Sequence, residues 1–313
     1  MKKLVALFSV SALFLGACGT TGLEGNDTED SGEEGIESVE RDEMVVGLSL
    51  STLNNPFFVS LQEGVVNTAE AEGTDVRTVD AQDDTAKQLN DVNDLIQQGV
   101  DILLINPVDS AAIEPAIDSA NNAGIPVITI DRSSEGGEVV TLVASNNVEG
   151  GEMAAQHIID LVGEGAATVQ LEGVPGASAT RERGEGFMNV AEDGLDVVDS
   201  QTANFNRSEG LTVMENMLQS NSDVEAIFAQ NDEMALGAIE AIEAAGLAED
   251  IVVIGFDGND DALVAVEEGR MDATIAQQPD EMGRIAMETA YEYFEGEEID
   301  EYIASPLELI TNE

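Results

Sequence analysis

From residue 44 onward, short apolar segments rich in β-branched residues alternate with longer segments of helical period, and this alternation limits the fold. The predicted strands are MVVGLSL, DVRTVD, DILLIN, PVITID, VVTLVA, ATVQLEG, DVVDSQ, EAIFAQ, IVVIGF and DATIAQ. Most are almost continuously apolar, which is typical of parallel strands covered by helices on both faces. Repeated strand–helix units indicate an α/β fold with doubly wound parallel sheets. About ten strands exceed the usual size of one open sheet, so we predict two packed lobes.

The first 43 residues have a different character. MKKLVALFSVSALFLGAC has two lysines, an apolar run and then small residues before Cys18, which is the layout of a secretory signal. LGAC fits a lipobox, so we predict a signal peptide over residues 1–18 with lipidation at Cys18. The alternative is an ordinary signal peptide with an incidental cysteine. Residues 19–43 are acidic and contain glycine, which predicts a disordered tether. A single cysteine excludes an intramolecular disulfide.

The chain is strongly acidic. It has 64 Asp and Glu against 11 Lys and Arg, for a formal net charge of −53 at pH 7. Such a surface repels nucleic acid and anionic lipid, so neither is expected as a partner. The acids are spread along the whole chain, which favours a general surface property over one partner-binding face. We interpret the composition as salt adaptation of the halophilic kind, because dissolved salt screens such repulsion.

Polar side chains follow the predicted strands at the points where the strands end. Because ligands of open α/β sheets bind beyond the carboxyl ends of the strands, these positions predict a binding site. They are Ser51, Asn55, Asn106, Asp131 and Arg132 in the first half, and Asn231, Asp257 and Gln277 in the second. Forked amide, carboxylate and guanidinium groups suit a neutral ligand with many hydroxyls. No phosphate-binding glycine motif follows any strand, which argues against nucleotides.

Each of these residues also has a purely structural interpretation, which the sequence leaves open. The alternatives are Asn55 and Asp109 as helix caps, Asp131 with Arg132 as a local ion pair, and Phe57 with Phe58 as core residues. Taken singly, each is at least as good as a ligand contact. Eight polar strand ends along one edge are harder to explain by capping alone.

Catalytic and metal-binding signals are weak. The single histidine, His157, lies in a helix-like stretch without a cysteine or histidine partner, so we interpret it as a helix residue. DGNDDALVAVEE matches part of a calcium loop, but Ala262 stands where the loop needs glycine. No nucleophile elbow or S-x-x-K motif is present. We therefore predict no enzyme activity, no metal and no cofactor.

Seven segments together carry a family resemblance. STLNNPFFVSLQEG, ILLINPVDS, IPVITIDR, EGVPGASATRERGEGF, IFAQNDEMALGA, VVIGFDG and ATIAQQPD resemble the ribose-binding proteins of bacterial ABC import systems, from Met44 to the C-terminus. The resemblance implies periplasmic binding protein type I architecture, with two lobes joined by a three-stranded hinge. The implied boundaries are residues 43–145 plus 278–306 for one lobe and 146–277 plus 307–313 for the other.

The resemblance also implies the ligand and its contacts. A sugar ring, D-ribose, would lie between the aromatic faces of Phe57, Phe58 and Phe205, and Arg183 would join the polar strand-end residues around it. Allose, galactose or a furanosyl signal molecule are the alternative ligands. The implied partners are an ABC permease and, as an open possibility, a chemoreceptor. The expected form is a monomer, attached by its lipid to the outer face of the cytoplasmic membrane or lying in the periplasm.

Two other function classes fit less well. The effector domain of a transcriptional regulator shares this fold, but it would need a helix-turn-helix where this chain has a signal segment. A secreted sugar-modifying enzyme would need catalytic groups that the sequence does not display.

Overall fold

The computed structural model describes residues 38–312. The predicted signal peptide, Cys18 and all but the end of the predicted tether lie outside the described residues. No helix in 38–312 is long and apolar enough to cross a membrane.

The described residues form two sheets of six strands, with helices on both faces. The strands are β1 (Val45–Leu50), β2 (Asp75–Asp80), β3 (Ile102–Ile105), β4 (Val127–Ile130), β5 (Thr141–Ser145), β6 (Ala167–Glu172), β7 (Asp196–Thr202), β8 (Ala226–Ala229), β9 (Val252–Asp257), β10 (Ala273–Ala276), β11 (Tyr302–Ser305) and β12 (Glu308–Thr311). The helices are α1 (Pro56–Glu72), α2 (Thr85–Gln97), α3 (Glu114–Asn122), α4 (Asn147–Val162), α5 (Ser178–Gly194), α6 (Arg207–Ser220), α7 (Asp232–Ala245), α8 (Asp260–Glu267) and α9 (Pro279–Glu295).

The two sheets have the same arrangement. The first has the order β11-β5-β4-β3-β1-β2 and the second β12-β10-β9-β8-β6-β7. Every pair is parallel except β10 with β12. By position in the sheet, β4 corresponds to β9 and β3 to β8. The prediction of two similar doubly wound α/β lobes is confirmed.

All ten predicted strands are present, but β11 and β12 were missed by the sequence analysis. Both have only four residues and lie at sheet edges, where YIAS and ELIT are largely exposed or half-buried. Short edge strands lack the continuous apolar run that marks a buried parallel strand, so the pattern did not reveal them.

The chain passes between the sheets three times. It crosses after β5 into α4, after β10 into α9, and directly from β11 to β12. Helix α4 packs against α5 and β9, whereas α9 packs against α1 and β4, so each crossing carries a helix or strand to the opposite sheet. All three crossings involve strands at the same end of the two sheet orders, β11 and β5 in the first sheet and β12 and β10 in the second.

Side-chain caps fix where helices α1 and α7 begin. The Phe57 N–H donates to Asn55 Oδ1 (3.0 Å), and Pro56 occupies the first helical position of α1. Likewise the Met234 N–H donates to Asn231 Oδ1 (2.9 Å) at the start of α7. The capping interpretation of Asn55 therefore holds. The cap fixes the start of α1 and so places Phe57 and Phe58 in its first turn.

Candidate functional site

A pocket lies between the facing strand ends of the two sheets. It is lined by nine of the predicted residues together with Ala179: Asn55, Phe57, Phe58, Asp131, Arg132, Arg183, Phe205, Asn231 and Asp257. These residues come from distant parts of the chain and from both sheets. The structure thus brings together most of the set that the sequence proposed.

Three predicted residues lie behind the pocket wall. Asn106 Nδ2 donates to Asp131 Oδ2 (3.2 Å), and the Ser51 N–H donates to Asn106 Oδ1 (3.2 Å). Gln277 Nε2 donates to Asp257 Oδ1 (2.9 Å). Within residues 38–312, the Ser51 hydroxyl and Gln277 Oε1 are buried without a hydrogen-bond partner. Asn106 and Gln277 therefore each hold a lining aspartate, Ser51 is bonded to Asn106, and Ser51 and Gln277 retain an unused polar atom.

Aromatic rings and a guanidinium form two walls of the pocket. The rings of Phe57 and Phe58 meet edge to face, with their centroids 5.2 Å apart. Arg132 Cζ lies 5.2 Å from the centroid of Phe58 and 5.4 Å from that of Phe205. Phe58 from the first lobe and Phe205 from the second thus approach the same guanidinium, within the range of cation–π attraction.

The backbone around Phe205 holds its ring in place. Phe205 has φ 56°, a left-handed conformation that a bulky residue seldom adopts. Asn231 Nδ2 donates to its carbonyl oxygen (3.4 Å). A Cβ atom on Gly173 would lie 2.0 Å from the ring, so only glycine lets the ring pack this closely.

Substituting Gly173 with alanine is therefore expected to push the Phe205 ring into the pocket and to weaken ligand binding by about tenfold. Titration calorimetry measures this. Gly246→Ala is the matched control, because Gly246 has φ 76° and open space around it, so its substitution costs stability far from the pocket. Equal affinities for the two variants would contradict the role of Gly173.

Each lobe contributes one buried aspartate–arginine pair. Arg132 Nε lies 3.5 Å from Asp131 Oδ2, and Arg183 Nη1 lies 3.4 Å from Asp257 Oδ1. The aspartates follow or end the equivalent strands β4 and β9, and both have positive φ, 64° for Asp131 and 120° for Asp257. Strained backbone of this kind persists only where surrounding contacts enforce it. The four charges sum to zero, which suits an uncharged ligand.

Burial changes the protonation of these groups. It raises the pKa of the Asp131 carboxyl, an effect that Arg132 opposes, and it lowers the pKa of the Arg132 guanidinium. Burial also raises the pKa of Asp257 to about 7, although Arg183 acts in the opposite direction. In the sugar-free protein, Asp257 thus changes its charge near neutral pH.

This raised pKa has a consequence for stability. An aspartate whose pKa is higher in the folded state stabilises the fold at low pH, and that contribution is lost as the pH rises from about 4 towards 7. The free energy of unfolding of the sugar-free protein should therefore fall between pH 5 and 7, by up to about 1.4 kcal/mol per pH unit for this group. Asp257→Asn should flatten the profile; parallel profiles for the two proteins would contradict the assignment.

Arg183 is held by groups that the sequence analysis did not single out. Its Nη1 donates to the Gln230 carbonyl oxygen (2.6 Å) and its Nε to Asn147 Oδ1 (2.9 Å). Its Cζ lies 3.7 Å from the centroid of Phe256. Phe256 occurs in IVVIGF, where it is indistinguishable from a core strand residue. Only the folded structure reveals its contact with the arginine, because Arg183 lies on α5 and Phe256 on β9.

The weaker signals do not converge on a site. His157 lies within α4 and is half-buried, as interpreted from the sequence. The calcium-loop residues have other partners: Asp257 pairs with Arg183, Asp261 with Arg207, and Glu268 with Arg270. Within 38–312, no cluster of three or more His, Cys, Asp or Glu side chains could hold a metal ion.

Comparison with known proteins agrees with this geometry. The family model described as a periplasmic binding protein domain matches residues 46–298. The chain belongs to the periplasmic binding protein family. The ribose import binding protein of Bacillus subtilis is 53% identical over 312 residues, covering 99% of each chain. The protein of the same name from Escherichia coli is 45% identical over 314 residues, covering 100% of this chain and 99% of the relative.

Solved structures of the family share the two-lobed architecture. A Caulobacter myo-inositol binding protein has a TM-score of 0.82 and 34% identity, covering 86% of this chain and 93% of its own. An Actinobacillus succinogenes solute binding protein with bound D-allose has a TM-score of 0.80 and 31% identity, covering 86% and 98%. Membership of this family confirms the resemblance stated above. It also confirms that the chain is a transport-related binding protein and not an enzyme.

Proposed function

We propose that this protein captures D-ribose between its two lobes and delivers it to an ABC importer. The observation that carries the proposal is the buried pocket, in which aromatic faces from both lobes flank two aspartate–arginine pairs of zero net charge. The names of the relatives at 53% and 45% identity point to ribose among the sugars.

The chemistry of the pocket matches the surface of a sugar ring. Sugar C–H faces are apolar and pack well on Phe57, Phe58 and Phe205, whereas each buried hydroxyl needs a partner. The Arg132 Nε donor, in the pocket lining, is buried without a hydrogen-bond partner within the described part of the chain. A ligand hydroxyl would accept a hydrogen bond from it.

Contacts between the lobes support a closing motion about the three crossings. The Ser110 N–H donates to the Gly176 carbonyl oxygen (2.9 Å), and the Ser178 N–H donates to Ser110 Oγ (3.2 Å). The Ser133 N–H donates to Ser178 Oγ (3.0 Å). These bonds join the ends of β3 and β4 to the start of α5, away from the crossings. Opening would break them, so a ligand that bridges the lobes favours the closed form.

The lobes in this proposal comprise residues 43–145 plus 278–306 and residues 146–277 plus 307–313. As sugar-binding residues we propose the twelve named in the sequence analysis. We further propose an extracytoplasmic, monomeric protein held to the membrane through a lipid on Cys18, with the closed form recognised by the permease and, as a further candidate, by a chemoreceptor. Palmitate labelling of Cys18→Ala against wild type tests the anchor: equal labelling would overturn it.

D-Allose and D-galactose are the competing ligands, and bound D-allose in one structural relative makes allose the stronger of the two. A thermal-shift panel with ribose, allose, galactose and deoxyribose separates them. A sugar that lacks or inverts one hydroxyl leaves buried groups unpaired, at a cost of about 1–3 kcal/mol each. Ribose should therefore raise the melting temperature most; a larger shift with allose or galactose would reassign the ligand.

We also propose that the acidic surface is an adaptation to salt, because a net charge of −53 destabilises the compact state through self-repulsion. At physiological ionic strength, charges within about 8 Å of each other still interact, and molar salt screens them. The melting temperature should therefore rise clearly from low to molar potassium chloride. A melting temperature that does not change over this range would contradict the salt-adaptation proposal.

A further inference from the structure

Asp232, the first residue of α7, is a fully buried carboxylate that does not line the pocket. Within residues 38–312, no arginine, lysine or histidine forms an ion pair with it, whereas Asp131 and Asp257 each have an arginine. The start of α7 is already capped by Asn231. A helix cap therefore does not explain why a carboxylate is buried here at the cost of its hydration.

The contacts of Asp232 all lead to the turn that follows Asp257. The Asn259 N–H donates to Asp232 Oδ2 (2.8 Å), and the Thr274 hydroxyl donates to Asp232 Oδ1 (2.7 Å). The same Thr274 oxygen accepts the Gly258 N–H (3.3 Å). Both N–H groups of the Gly258–Asn259 turn are thus tied to this one carboxylate, the second directly and the first through a hydroxyl.

The neighbouring sequence makes room for the arrangement. A Cβ atom on Gly255, in the middle of β9, would lie 2.3 Å from Asp232 Oδ1, so a side chain there would displace the carboxylate. The tied turn begins directly after Asp257, whose φ of 120° is strained, and continues with Gly258 at φ 76°. Such a backbone needs external contacts to persist, and Asp232 supplies them.

We propose that Asp232 is a positioning residue of the sugar site, fixing the Gly258–Asn259 turn so that Asp257 keeps its place in the pocket. The proposal rests on sugar binding as proposed above. It assigns to Asp232 no contact with the ligand. Loosening the turn lets the Asp257 backbone relax and moves its carboxylate away from Arg183 and Gln277, the groups that orient it.

The charges around this pair provide a second readout. Burial raises the pKa of Asp232 well above its usual range, and the negative charge of Asp257 adds to the effect. Asp257 in turn faces Arg183, Asp131 and Arg132. Arg183 and Gln277 both lower the pKa of Asp257, so a loosened turn that moves the Asp257 carboxylate away from them should raise that pKa.

The test compares Asp232→Asn with Asp272→Asn. Asp272, the residue before β10, accepts the Val253 N–H at Oδ2 (2.8 Å), whereas Gln277 follows the other end of this strand. The control therefore removes a similar carboxylate–backbone bond away from the pocket. Asp232→Asn should weaken ribose binding by about tenfold and raise the pKa of Asp257, whereas Asp272→Asn should change neither. Thr274→Val, which loses the bridging hydroxyl, should weaken binding by about threefold and serves if Asp232→Asn does not fold.

Ribose affinities and Asp257 pKa values equal to those of the control in both Asp232→Asn and Thr274→Val would overturn the proposal. If the wild type does not bind ribose, the proposed function fails separately. The pKa of Asp257, followed by carboxyl carbon NMR in the ligand-free protein, then decides the question: a raised value in Asp232→Asn supports positioning, and an unchanged or lowered value overturns it.

Discussion

Replacing Arg183 with methionine is expected to lower the affinity for D-ribose by about a thousandfold. The guanidinium is buried and donates to Gln230, Asn147 and Asp257. Methionine preserves much of the length of the side chain but leaves the Asp257 carboxylate without its charged partner. Truncating one member of a buried charge pair costs about 2–5 kcal/mol in binding, chiefly because the remaining charge is unpaired.

Two further variants isolate the cause. Arg183→Lys keeps the charge but loses the planar fork, so its affinity should fall between those of wild type and Arg183→Met. Arg284→Met removes an exposed arginine that pairs with Glu281 and Glu288 on α9, and its affinity should equal that of the wild type. Titration calorimetry gives the affinities. An Arg183→Met protein that is folded and binds ribose within tenfold of wild type would contradict the central role of Arg183.

Replacing Phe205 with alanine is expected to weaken ribose binding by about a hundredfold. This ring is the aromatic wall that the second lobe contributes, and it lies against Arg132 on one side and Gly173 on another. Its loss removes an apolar face for the sugar and lets water reach the paired charges. Because Phe205 is only half-buried, the fold should lose little stability.

Phe205→Tyr is the matched variant, since it keeps the ring and should retain affinity within about threefold of wild type. Thermal unfolding of the sugar-free variants checks that both are folded. Affinity of Phe205→Ala within threefold of wild type would show that the second lobe's aromatic wall is not part of the site.

The strand ends were predictable because parallel strands bring their carboxyl ends to one edge. Asn106, Asp131 and Asp257 could be chosen from the sequence by position alone, and the structure places them at or directly behind the pocket. Arg183 lies inside α5, out of reach of a strand-end argument, and Phe205 follows β7 but is apolar, so a search for polar strand ends passes over it. Their proximity depends on two lobes facing each other, which only the family resemblance implied.

Other features depend on three-dimensional packing and left no signal in the sequence. The positive φ values of Asp131 and Asp257 occur at residues other than glycine, so the residue types alone do not predict this backbone conformation. Asp232, Gly255 and Thr274 are separated along the chain and become one arrangement only when β9 and β10 pair. Phe57 and Phe58 have both of the roles considered for them, because both residues are buried in the first-lobe core and both line the pocket.

Calorimetric titration of the wild-type protein with D-ribose in high salt tests the account most directly. We predict saturable binding at one site per chain, tighter for ribose than for D-allose or D-galactose under the same conditions. No binding of ribose, where another monosaccharide binds, would contradict it.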